Sequence, residues 1–133
     1  MTTATKAPLK QCVVLVEDEP LTRGVAAELL TEAGLIVLEA GHADDALRIL
    51  ESQASDVHIL FTDIHMPGSL DGLELAHHTR RVWPWIALLI ASGKARPAFI
   101  DMPAGSRFLP KPYDFDHMLS HVRELIAGGR AIV

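Results

Sequence analysis

Apolar residues follow two rhythms along this chain. Short runs of strand length, rich in β-branched and aliphatic residues, recur at Cys12-Val13-Val14-Leu15-Val16, Leu35-Ile36-Val37-Leu38, Val57-His58-Ile59-Leu60-Phe61-Thr62-Asp63, Ile86-Ala87-Leu88-Leu89-Ile90-Ala91 and Arg107-Phe108-Leu109. Between them, apolar positions fall three or four apart, the spacing of one helix face. Leu21, Val25 and Leu29, with Ala26, Leu30 and Ala33 beside them, predict a first helix; Ala43, Ala46, Leu47 and Leu50 a second; Leu73, Leu75, Ala76 and Val82 a third; Phe115, Met118, Leu119, Val122, Leu125 and Ile126 a last one. The punctuation agrees. Pro20 suits a first helical turn and Gly34 a helix stop, Asp71 and Glu74 have capping-pair spacing, and Trp83-Pro84 and Gly128-Gly129 end the third and last helices. Pro97 and Pro103 leave a fourth helical segment only about two turns.

Strands alternating with helical segments through short loops predict an α/β fold: a doubly wound, five-stranded parallel sheet, order 2-1-3-4-5, with helices on both faces and a shortened fourth helix. The chain divides into a mobile arm over 1–10, one domain over 11–127 and a short tail over 128–133. In that strand order the chain segments ending at Asp18 and Asp63 are neighbours, and the next two strands bring Ser92 and Lys111 to the same sheet edge.

Composition narrows the function. With 133 residues there is room for one ordinary core, and 12 basic against 17 acidic residues give a net charge of -5, which offers no general attraction to nucleic-acid backbones or anionic membranes. No apolar run has membrane-spanning length and no signal core follows Lys6, so a cytoplasmic location is expected. The single Cys12 excludes an internal disulfide and reads as a small core residue.

Chemistry concentrates where strands end. The apolar run through Phe61 drives into Asp63 and stops at Pro67-Gly68; the first run ends in Glu17-Asp18-Glu19. An aspartate after a strand is also a common turn former, and Asp63 alone does not separate the two readings. Crowded carboxylates, however, repel one another unless a cation sits among them, and an oxygen-only set suits Mg²⁺. A group that accepts a metal on one flank and a hydroxyl and ammonium, Ser92 and Lys111, on the other is a phosphoryl group, with Asp63 as its nucleophile.

Val16-Glu17-Asp18-Glu19-Pro20, Asp63 with Met66-Pro67 and Asp71-Gly72, Ser92-Gly93 and Lys111-Pro112 together resemble the receiver domain of two-component response regulators, over about Cys12 to Ala127. The resemblance implies a flavodoxin-like fold, Asp63 as phosphoacceptor, Asp18 and Asp63 as direct Mg²⁺ ligands, Glu17 as a ligand through water, and a metal contact from the backbone carbonyl of His65. It also implies Ser92 and Lys111 as phosphoryl partners, Ser92 and Phe108 as switch residues, a cis bond between Lys111 and Pro112, and a phosphohistidine donor on a sensor histidine kinase or histidine phosphotransfer protein. Four departures stand out: Glu17 where Asp is common, one extra residue in the Gly68-Ser69-Leu70 stretch, Phe108 where Tyr is frequent, and the shortened fourth helix. The last two fall on the surface receivers use for output.

The expected protein is a stand-alone, non-enzymatic signalling module that controls an unknown downstream protein or passes phosphate along a relay, without touching nucleic acid directly. Two alternatives remain beside it: a Mg²⁺-dependent phosphohydrolase working through an aspartyl phosphate, and a pseudo-receiver that binds without phosphorylation. Against the first, the position two after Asp63 is His65 rather than an acid; against the second, the acidic group, Ser92 and Lys111 are complete. His117 and His121, four apart on the last helix, lack a third metal ligand in the sequence and read as a solvated pair. The sequence names no partner for His42 or His58, adjacent His77 and His78 point to different faces, and Trp83-Pro84-Trp85 reads as packing a loop over the sheet, with an interface anchor as the alternative.

Overall fold

The structure, a computed structural model, describes residues 10–93 and 101–128. Its elements are β1 (Cys12–Val16), α1 (Pro20–Glu32), β2 (Ile36–Ala40), α2 (Ala43–Gln53) with a 3-10 turn at Ala54–Asp56, β3 (Ile59–Asp63), α3 (Gly72–Val82), β4 (Ala87–Ser92), β5 (Arg107–Pro110) and α4 (Phe115–Ala127). The strands form one sheet in the order β2-β1-β3-β4-β5, every pair parallel, as the alternating pattern predicts. The arm through residue 9, residues 94–100 and the tail from residue 129 lie outside the described residues, and the shortened helix expected between Pro97 and Pro103 falls largely there.

The three central strands are apolar up to their carboxyl ends, where Thr62, Asp63 and Ser92 stand, because both their faces are covered. Side chains alternate between two cores: Val14, Val16, Leu60, Leu88 and Ile90 pack with α2 and α3, whereas Val13, Leu15, Ile59, Phe61 and Leu89 pack with α1 and α4. β2 is an edge strand, and it runs from Ile36 to Ala40 rather than from Leu35 to Leu38; Ile36 at its start is exposed. None of the helices among the described residues is long and apolar enough to cross a membrane.

The inner face of α1 differs from the stripe expected. Ala26, Ala27 and Leu30 are buried, while Leu21 is 76% and Val25 38% exposed and Ala33 is exposed as well. Leu21 and Leu30 stand nine positions apart, roughly 180° around an ideal helix. The apolar residues of α1 therefore span two sides, and the small Ala26 and Ala27 select the side that can approach the sheet. In α3, similarly, Val82 points outward and Thr79 is buried, its hydroxyl donating to the Leu75 carbonyl at 2.8 Å.

Helix ends follow local chemistry. Asp71 and Glu74 form the expected reciprocal cap of α3, with bonds of 2.8 and 2.9 Å. Gly34, at φ 97°, turns the chain out of α1 in a conformation that favours glycine. Trp83 and Trp85 pack half-buried against the α2/α3 core, and the Trp85 indole donates to the Ala54 carbonyl at 3.1 Å.

Candidate functional site

Strand register assembles the site. Val16 pairs with Thr62, so the residues that follow, Glu17 and Asp63, leave the sheet side by side. Asp63 in turn pairs with Ala91, which places Ser92 one step further along the neighbouring strand, and Ser92 pairs with Pro110, just before Lys111. Four strand ends thus converge on one edge, the edge where open α/β sheets bind ligands.

Glu17 and Asp63 are buried and Asp18 is exposed, yet one carboxylate oxygen from each lies within 4.8 Å of the others. Backbone bonds hold Glu17 on both sides: its N–H donates to the Ala40 carbonyl at 3.1 Å, and its carbonyl accepts from the Arg23 guanidinium at 2.7 Å. Its Oε2 accepts from the Glu19 N–H at 3.0 Å. The Lys111 ammonium crosses to both buried acids, 2.5 Å from Glu17 Oε1 and 3.1 Å from Asp63 Oδ2. Burial pulls the Lys111 pKa down, but the bonds and charges of Glu17 and Asp63 outweigh it and the net shift is upward.

Among the described residues, three carboxylates against one ammonium leave two negative charges uncompensated. A divalent cation answers that excess, and the donors are all oxygens with one exposed member, Asp18, a combination that fits Mg²⁺ with part of its water shell retained. Glu17, Asp18 and Asp63 are the residues able to hold it. His65, in the connection after β3, has an exposed side chain, and Phe108 is half-buried on β5 opposite Ile90. Ser92 is buried at the end of β4, and its carbonyl accepts from the Lys111 N–H at 2.9 Å. The Lys111–Pro112 bond is cis.

Two neighbours of the site carry no signal in the hydrophobic periodicity. Tyr113 packs its ring against Phe61 and Phe115, with centroids 5.8 and 5.5 Å away. It lines a cavity of about 420 Å³ with Thr22, Gly93, Lys111, Pro112 and Phe115. Burial, then the negative charge of Glu17 and Asp63 against the opposing charge of Lys111, pushes its phenol up to about 12. Gly72 is required by contact: a Cβ there would sit 1.7 Å from the Asp63 carbonyl oxygen. Its N–H donates to the Ile64 carbonyl at 2.9 Å, so the first turn of α3 rests directly on the end of β3.

The remaining candidates resolve into local roles. Cys12 is buried at the start of β1, and burial followed by the charge of Asp56 pushes its thiol up, away from reactivity. His58 Nδ1 accepts from the Cys12 N–H at 3.1 Å, His42 pairs with Asp45 at 3.2 Å, and His77 Nε2 lies 2.6 Å from the Asp101 carbonyl.

Comparison with known proteins gives the chain its family. Residues 13–123 match the family model of the response regulator receiver domain. The chain is 35% identical over 117 residues to the sensor kinase CckA of Brucella abortus, covering 86% of this chain but 12% of that relative's length. Among solved structures, the receiver domain from the hybrid histidine kinase CckA shares 34% identity with a TM-score of 0.75, covering 86% of this chain and 98% of that one. The response regulator TrrA from Thermotoga maritima, solved in complex with Mg(2+)-BeF, shares 25% identity with a TM-score of 0.78, covering 86% and 98%.

Proposed function

Because the chain belongs to the response regulator receiver domain family, a set of signalling modules of two-component systems, we propose that Asp63 is its phosphoacceptor, charged from a phosphohistidine on a sensor histidine kinase or histidine phosphotransfer protein. The observation that carries the reading is the Lys111 ammonium bridging Glu17 and Asp63 beside the exposed Asp18. Mg²⁺, when bound, neutralises charge on the phosphoryl oxygens during transfer. Asp18 and Asp63 hold it directly, Glu17 through water, with the His65 backbone carbonyl as a further ligand. TrrA, solved in complex with Mg(2+)-BeF, supports Mg²⁺ as the ion.

The step itself is a displacement. An Asp63 carboxylate oxygen forms a bond to phosphorus as the bond to the donor imidazole nitrogen breaks, and the imidazole leaves with the electron pair. Lys111 stays beside Asp63 and pairs with a phosphoryl oxygen, while the Ser92 hydroxyl takes another. Charge-assisted hydrogen bonds contribute roughly 1.5–3 kcal/mol each, so two supply about 3–6 kcal/mol. Reversing a 1:99 equilibrium needs about 5.5 kcal/mol, a population shift that the two contacts reach near the top of that range and when both engage only the phosphorylated state. Ser92 and Phe108 transmit it to the surface around β4, β5 and α4, which controls a downstream protein or relay.

Leu21 and Val25, exposed on α1 next to Thr22 of the Lys111 cavity, give the donor protein an apolar surface beside the site. The test is incorporation of phosphate from acetyl phosphate with Mg²⁺. Wild type is expected to incorporate it and Asp63→Asn to lose it; equal incorporation by the variant refutes Asp63 as acceptor.

A further inference from the structure

Two imidazoles, His117 and His121, stand four residues apart on α4 and so share one stripe of the helix. The structure supplies what their spacing lacked, a third donor. Glu124 lies with both of them and Ser120 around a cavity of about 220 Å³. Its Oε1 accepts from Arg107 on β5, and the Arg107 bond and charge, followed at a distance by His121, hold its carboxyl below the usual value. The Nδ1 of His121 is closed off from solvent and has no hydrogen-bond partner among the described residues. An enclosed ring nitrogen without a partner is a costly arrangement.

We infer that His117 and His121 chelate a transition-metal dication of the Zn²⁺ class, with Glu124 as third ligand through its Oε2 oxygen. Imidazole pairs one helical turn apart are an established way to hold such ions. The site is chemically distinct from the oxygen-only cluster of Glu17, Asp18 and Asp63, so each selects its own class of metal. That acidic trio is the one pre-gathered group of metal-competent side chains among the described residues, so at α4 the ion itself has to draw the ligands together. Reorganisation of that kind makes the site weaker than a structural zinc site. Drawing Glu124 toward the imidazoles loosens its pair with Arg107, the tie between β5 and α4 next to Phe108. Metal occupancy is thereby reported at a surface separate from Asp63.

Zn²⁺ titrated into the full chain in excess Mg²⁺, followed by NMR of the histidine rings and backbone, tests this. Saturable binding of one ion per chain is expected, with shifts at His117, His121, Glu124 and Arg107. His117→Gln, at an exposed position, should weaken binding about tenfold or more, while acetyl phosphate still labels Asp63. His121→Gln should do the same in a folded chain. Zn²⁺ affinity unchanged in the His117→Gln/His121→Gln double variant overturns the inference, as do shifts centred on Asp18 that disappear in Asp63→Asn.

Discussion

β1 and β3 are neighbours with the same burial from end to end, yet their two ends are built on opposite principles. At the amino ends the backbone groups are tied off by hydrogen bonds. The Cys12 N–H donates to His58 Nδ1, the His58 N–H to the Cys12 carbonyl at 2.9 Å, and the Ala87 N–H to the His58 carbonyl at 3.0 Å. At the carboxyl ends the same strands deliver two buried acids and an exposed third onto a single ammonium. One end closes the ladder; the other leaves charge unbalanced, and its stability depends on what cation or phosphoryl group is bound. The difference shows how one pair of strands serves as scaffold and site, with the division falling between Thr62 and Asp63.

The largest expected effect at the charged end is loss of phosphorylation in Asp63→Asn, with the fold intact by circular dichroism because the amide is nearly isosteric. Next in size is Gly72→Ala. Its methyl must displace the Asp63 backbone, and no flexible neighbour can yield, so a loss of about 3–5 kcal/mol is expected from denaturant unfolding, a size seen for severe steric or core substitutions. A change under about 1 kcal/mol would mean that α3 can lift off β3 freely.

Lys111→Ala removes the ammonium that, among the described residues, pairs with the cluster, and leaves Glu17 and Asp63 buried beside each other. A loss of about 3 kcal/mol is expected without divalent ions, as for breaking a mostly buried pair. Mg²⁺ should then raise the Tm of the variant more than that of wild type, because it answers a larger excess of negative charge. Equal Mg²⁺ stabilisation in the two proteins would show that Lys111 does not share the carboxylates with the ion. At the amino end, His58→Leu takes away the acceptor of the Cys12 N–H. The expected cost is about 1 kcal/mol, with no change in labelling of Asp63, and an altered labelling rate would break the separation between the two ends.

How much of this was readable from the residues depends on range. Glu17, Asp18, Asp63, Ser92 and Lys111 each end or follow an apolar run, so strand order alone brought them to one edge. The cap at Asp71 and Glu74 and the stop at Gly34 are local and were equally legible. The inner face of α1 was not, because Leu21, Val25 and Leu29 form as good a stripe as Ala26 and Leu30, and only closeness to the sheet decides between them. His58 on Cys12 and Gly72 under the Asp63 carbonyl involve residues whose meeting depends on tertiary packing or exact backbone approach, for which hydrophobic periodicity has no signal. Tyr113 belongs to the same class. Glu124, one helical turn after His121 on α4, was legible from spacing and went unread.

Tyr113 sharpens the comparison most finely, since it senses the charged end without belonging to it. It is the only tyrosine in the chain, so phenolate absorbance reads it alone. Its pKa rises from about 10 to about 12 on folding, so the folded state holds the phenol proton more tightly. The associated stability is complete below about pH 10 and is lost as pH climbs toward about 12. Lys111, whose pKa is also raised, adds a loss in the same alkaline direction, so the Tyr113→Phe variant separates the two by retaining only the lysine part. Burial is the larger cause at Tyr113 and Glu17 the next, which fixes the sign of a second test. Glu17→Gln should bring phenolate formation to lower pH, and Lys111→Ala should push it higher. If neither substitution moves it, Tyr113 is held by burial alone and the field of the acidic cluster does not reach past Lys111.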